Sequence, residues 1–215
     1  MYVALVNRRK IELVAHPKAL FSRVSVALQQ HKLRVRDLLV APATEIAHEL
    51  IQLVKMRKVR LTSSGSGLVD MSAVLSELEC ERMMEYERLW EARFHCPMAV
   101  EQDLLMNLGD NPSAGFVNWS VPSARCGDSV HKVPTLRKDW KLMWVPSCKR
   151  WMTVNERAVA MGFPVYDDLR LQYGLSLSTP FSLEWRHRSL PGNSMHVACV
   201  GVWQACVAAS CRLKD

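Results

Sequence analysis

The sequence has no apolar run long enough to cross a bilayer. Its longest apolar stretch, Met195–Ala209, is interrupted by His196 and Gln204 and falls short of the roughly 20 residues that a membrane-spanning helix needs. No secretory signal is legible. The apolar run at Met1–Val6 is short, and Arg8, Arg9 and Lys10 follow it rather than precede it. A disulfide framework is missing too. The seven cysteines are odd in number and irregularly spaced, which points to reduced thiols in an intracellular protein. Around His95, Cys96, Cys126 and His131 there is no C-x-x-C or H-x-x-x-H spacing, so no metal site is expected. Internal repeats are absent as well.

What remains is an ordinary globular composition: 215 residues, 49% hydrophobic and 23% charged. At roughly 100–200 residues per domain, this length suits one domain or one and a half. Acidic residues are the scarcer sign, 21 against 28 Lys and Arg, for a net charge of +7. That excess favours an anionic partner such as nucleic acid.

Residues 10–15 alternate and then turn apolar before His16-Pro17, a pattern for a buried strand ended by a turn. Between Pro42 and Val54, the spacing of Ile46, Ala47, Leu50, Ile51 and Val54 predicts a helix with one apolar face. A Ser/Gly loop at 63–67 leads to a charged helix over about Val69–Arg93, with Val74, Leu75, Leu78, Leu89 and Trp90 as its buried stripe. Prolines and glycines across 97–135 predict loops and short strands. Thr153-Val154-Asn155-Glu156 is a capping box, closed two turns later by Gly162-Phe163-Pro164. Asn193 or Ser194 caps a slim, apolar helix running to about Ser210, in which Cys199 and Cys206 read as small core filling.

The order Arg150-Trp151-Met152-Thr153-Val154-Asn155-Glu156, then Gly162-Phe163-Pro164, then Gly192-Asn193-Ser194-Met195 before an apolar helix resembles the C-terminal end of DNA cytosine-5 methyltransferases. Their ninth block reads approximately Arg-x-Leu-Thr-x-x-Glu followed by Gly-Phe-Pro, and their tenth reads Gly-Asn-Ser. Asn7–Ala15 is similar to the eighth block, with Leu5-Val6 where Pro-Gln is usual. The resemblance implies an α/β fold: the C-terminal part of a Rossmann-like methyltransferase with an irregular α+β target-recognition region. It divides the chain into a catalytic-domain strand segment over 1–16, the recognition region over 17–149, and helices returning to the catalytic domain over 150–215.

Roles follow from the same resemblance. Arg8, Arg9 and Lys10 are candidate contacts to DNA phosphate and to a flipped cytosine, since arginine offers a planar fork of donors; the alternative is a solvated charge cluster. Lys55, Arg57, Lys58 and Arg60 form a basic patch able to lie along phosphates, or else a solvated helix end where cations suit the dipole. Gly192, Asn193, Ser194 and Met195 fall at the block that lines the S-adenosylmethionine pocket, besides capping a helix. Arg150, Thr153, Glu156, Gly162, Phe163 and Pro164 are assigned to architecture, with Phe163 buried.

The family's Pro-Cys nucleophile, Glu-Asn-Val block and Phe-x-Gly-x-Gly turn do not occur in the sequence. No catalytic residue is therefore expected in this chain, and it is expected to be inactive alone. The implied reaction is methyl transfer from S-adenosylmethionine to C5 of cytosine in duplex DNA, completed by a complementary methyltransferase half. A non-catalytic DNA-binding or regulatory module derived from such an enzyme, or a nonfunctional fragment, is the alternative. A DNA substrate places the protein in the nucleus of a eukaryote, or equally in bacterial cytoplasm.

Overall fold

The structure, a computed structural model, describes residues 9–28, 34–59, 70–114, 119–120, 142–168, 171, 174 and 197–213. These form a mixed α and β protein with six α-helices and two small antiparallel sheets. Backbone contacts divide the chain into two compact units: Met1–Lys32 with Met161–Phe163 and Ser194–Asp215, and Leu33–Ala160 with Pro164–Asn193. The first unit thus joins segments that the sequence division separates at residues 16 and 17.

In the first unit, β1 (Ile11–Leu13) pairs antiparallel with β6 (Cys211–Leu213), Ile11 opposite Leu213 and Leu13 opposite Cys211. Helix α1 (Pro17–Leu28) opens on Pro17, whose fixed φ and missing N–H suit a first helical position. It packs on α6 (Val197–Ala209), with the Phe21 and Trp203 rings edge to face at 5.5 Å. The strand at 11–13 is not buried as its alternation predicts. In a two-stranded ribbon it has one strand neighbour, and Leu13 and Val14 are exposed. On α6, Cys206 is buried but Cys199 is exposed, so only one of the two fills core.

The second unit is built on a four-stranded sheet, ordered β3 (Trp119–Ser120), β2 (Leu105–Asn107), β4 (Met143–Val145) and β5 (Arg150–Trp151). Period-two alternation sends Leu104, Met106, Leu108, Trp144 and Trp151 to one face, where they meet Leu50, Leu53, Val74, Tyr86 and Trp90. Leu105, Met143, Val145 and Met152 face the other way, onto Val35 and Leu38 with Val159 and Ala160. The sheet therefore lies between α3 (Ala43–Arg57) and α4 (Glu77–Phe94) on one side and α2 (Val35–Leu38) and α5 (Val154–Ala160) on the other. Burial on both faces explains why Leu104–Met106 and Leu142–Val145 read as unbroken apolar runs.

Helix α4 starts at Glu77 and not near Val69. Asp70 caps a 3-10 turn over Met71–Val74, and Ser76 with Glu79 forms a separate capping box. Of the expected stripe, Val74 and Trp90 are buried, Leu75 and Leu89 are half-buried and Leu78 is exposed, while Glu79 and Tyr86 are the further buried residues of α4. The Ser/Gly loop at 63–67 and residues 121–135 lie outside the described residues.

Candidate functional site

Among the described residues of the second unit, a dense set of side-chain hydrogen bonds gathers α3, residues 150–156 and Tyr166 into one joint. The Pro146–Cys148 3-10 turn and Lys149, in the left-handed region at φ 48°, return the chain from β4 to β5. That reversal delivers Arg150 inward at 8% exposure. Its guanidinium donates from Nη1 and Nη2 to the two carboxylate oxygens of Glu156, both at 2.8 Å, and from Nη1 to the Trp151 carbonyl at 3.0 Å. Glu156 is fully buried and also accepts from the backbone N–H groups of Thr153 and Ala41, each at 2.9 Å. The Glu156 N–H donates to Thr153 Oγ1 at 3.2 Å, so both halves of the capping box are made. Arg150 is held above its ordinary pKa: burial alone would lower it, and the bonds and charge of Glu156 outweigh burial.

Across the joint, α3 contributes two further buried carboxylates one helical turn apart, Glu45 at 3% and Glu49 at 2% exposure. Glu45 accepts from the Thr153 hydroxyl at 2.6 Å, the Tyr166 hydroxyl at 3.2 Å and Asn155 Nδ2 at 3.2 Å. Glu49 accepts from Trp151 Nε1 at 2.8 Å and from the Val154 N–H at 2.6 Å. Burial raises the Glu45 carboxyl above the usual glutamate value against the pull of those donors, with the Glu49 charge adding to the rise. Burial likewise raises the Tyr166 hydroxyl, with the Glu45 charge beside it.

Sequence periodicity missed this joint. Of the face it assigned, Leu50 is buried and Ile46 and Val54 pack half-buried on the core, while Ile51 is exposed; it left out Glu45, Glu49 and Leu53, which are buried. The available signal was two glutamates four residues apart, flanking the apolar stripe.

The architectural residues Arg150, Thr153 and Glu156 converge here. Gly162 follows α5 with φ 82°, Pro164 is buried, and Phe163 is half-buried and not buried as expected.

The basic candidates fall on both units. Lys55 and Lys58 are exposed at the end of α3, where Lys58 is the left-handed C-cap. Arg57 is drawn inward: it donates from Nη1 to Glu79 Oε2 and the Val74 carbonyl, both at 2.6 Å, and from Nη2 to Glu79 Oε1 at 2.9 Å. Burial opposes ionisation of Glu79, yet the bonds from Arg57 and Ser76 hold its carboxyl below the usual value. Arg9 and Lys10 are exposed in the first unit. Arg8, Arg60, Gly192, Asn193, Ser194 and Met195 lie outside the described residues. Among the described residues no helix is long and apolar enough to cross a membrane, and no three His, Cys, Asp or Glu side chains are grouped to hold a metal ion.

No protein-family model matches the chain, and no curated protein matches it.

Proposed function

We propose that this chain is the C-terminal portion of a DNA cytosine-5 methyltransferase-like protein, with a target-recognition region over residues 17–149. The observation that carries the reading is the joint at 150–156. The residues that resemble the family's ninth block, Arg150, Thr153 and Glu156, are bonded to one another and buried as a structural unit. The grouping of 1–32 with 194–215 supports it as well, because a region inserted between two parts of a catalytic domain leaves such a pattern. In this reading residues 1–16 and 194–215 of the first unit belong to the Rossmann-like catalytic domain.

The chain's own part in the reaction is to hold duplex DNA and present the recognition region. Exposed Arg9, Lys10, Lys55 and Lys58 contact phosphate, while Arg57 braces α3 against α4. S-adenosylmethionine, which supplies the methyl group, enters through Gly192–Met195 by resemblance alone. The nucleophile belongs to a complementary half, so the chain by itself transfers no methyl group.

The test is fluorescence anisotropy with labelled duplex DNA across a salt series, followed by a methyl-transfer assay on the same preparation. Binding that weakens steeply with salt and no methyl transfer are expected. No salt-sensitive binding at low ionic strength overturns the DNA reading, and methyl transfer surviving contaminant controls overturns the assignment of catalysis elsewhere. The four exposed cations and the +7 charge equally favour a non-catalytic DNA-binding module descended from such an enzyme. Restoration of methyl transfer by adding a family catalytic half separates the two.

A further inference from the structure

We propose that Glu45 and Glu49 form a proton-operated latch: the pair retains one proton in the folded protein, and its loss loosens the docking of residues 151–155 and Tyr166 on α3. The ground is geometric. The two carboxyls sit one turn apart on a single helix face, both almost wholly removed from water. Two like charges held close in a buried site resist simultaneous ionisation. Of the joint's two buried cations, Arg150 has both outer nitrogens on Glu156 and Arg157 donates from Nε to the Thr153 carbonyl. Glu45 faces hydroxyl and amide groups, and Glu49 an indole N–H and a backbone N–H.

Among the described residues, the charged and titratable groups bonded into this joint come from three segments. Glu45 and Glu49 come from α3, Arg150, Glu156 and Arg157 from β5 and α5, and Tyr166 from the segment after α5. Arg157 donates from Nε to the Thr153 carbonyl at 3.0 Å. Glu45 has the environment to keep the proton. Its Oε1 lies 2.6 Å from Thr153 Oγ1, a separation across which the hydrogen can belong to either oxygen, and burial moves its carboxyl in the same direction.

Among the described residues, the side-chain bonds of the pair run from α3 to residues 151–155 and Tyr166, so ionisation of Glu45 places a second charge against that one contact surface. Retention of a proton by the folded form means that stability is greatest below the ordinary glutamate range. It declines as pH rises from there through the folded-state value.

The test combines carbon-13 NMR of glutamate carboxyls in the full chain with urea unfolding between pH 4 and 8, on wild type, Glu45→Gln and Glu49→Gln. The Glu45 carboxyl signal, assigned by its disappearance in Glu45→Gln, is expected to titrate above about 4.3. Glu49→Gln should move that titration down. Relative to Glu45→Gln, the wild-type unfolding constant should rise by up to about tenfold per pH unit across the interval. If Glu45→Gln fails to fold, Glu45→Asp assigns the signal and the wild-type titration decides. Titration of Glu45 at or below 4.3, a value unmoved by Glu49→Gln, or a wild-type to Glu45→Gln ratio constant with pH would each overturn the latch.

Discussion

Replacement of Glu156 by alanine probes the joint most directly. The side chain accepts four hydrogen bonds, two from Arg150 and one each from the Thr153 and Ala41 N–H groups, at 2.8–2.9 Å and with no exposure to water. Its removal leaves a guanidinium buried without its counter-charge, a loss of about 3–5 kcal/mol. For a chain of this size, that corresponds to a fall of about 6–20 °C in Tm at roughly 2–4 °C per kcal/mol. Urea unfolding followed by tryptophan fluorescence reads the effect, since Trp90, Trp144 and Trp151 are buried in the same unit.

The double variant Arg150→Met with Glu156→Leu sharpens the argument. An apolar pair of similar volume removes the stranded charge, and such exchanges are often neutral or stabilising. Here, as in Glu156→Ala, the Thr153 and Ala41 N–H groups lose their acceptor, a cost common to both variants, while the stranded guanidinium is gone. The double variant should therefore lie between wild type and Glu156→Ala. A single variant within about 1 kcal/mol of wild type, or a double variant no more stable than the single, would refute the reasoning.

Further outcomes are expected elsewhere. Arg57→Met should destabilise by about 3–5 kcal/mol by stranding the buried Glu79, with Glu79→Leu added to it restoring part of the loss; paired denaturation curves check both. Ser76→Ala should cost about 1 kcal/mol through loss of the α4 cap, measured in the same way. Asp103 receives Arg36 Nε at 3.0 Å and Nη2 at 2.6 Å, and this bonding holds its carboxyl below the usual aspartate value. The stability it adds is present above the ordinary aspartate range and is lost as pH falls through the depressed value, so Asp103→Asn should flatten the acid limb of the unfolding profile. Lys55→Glu with Lys58→Glu should weaken DNA binding and reduce its salt slope, by about 0.9 for each phosphate contact removed, in anisotropy titrations.

The parts of this fold legible in the sequence are those set by local chemistry. Thr153 and Glu156 announce a helix start because a hydroxyl and a carboxylate three residues apart satisfy each other's backbone N–H groups, and α5 begins there. The burial of Glu45 and Glu49 was not legible. Their acceptors are matched by donors more than 100 residues away, and hydrophobic periodicity places carboxylates outward by default. Arg57 followed the same rule in reverse. It read as part of a basic patch, yet Glu79, 22 residues on, turns it inward. Short strands were expected across 97–135, where β2 lies, but the twofold burial of β4 hid its strand character, since alternation appears only when one face is wet.

The pairing of β1 with β6 sets an order of events during synthesis. Glu12 and Arg212 meet across 200 residues of chain. At about 5–20 residues per second, β1 waits some 10–40 s on the ribosome for its partner to be made. The second unit ends at Asn193 and is complete in sequence before β6 is made. It can fold while the first segment is still held open, and the ribbon closes last.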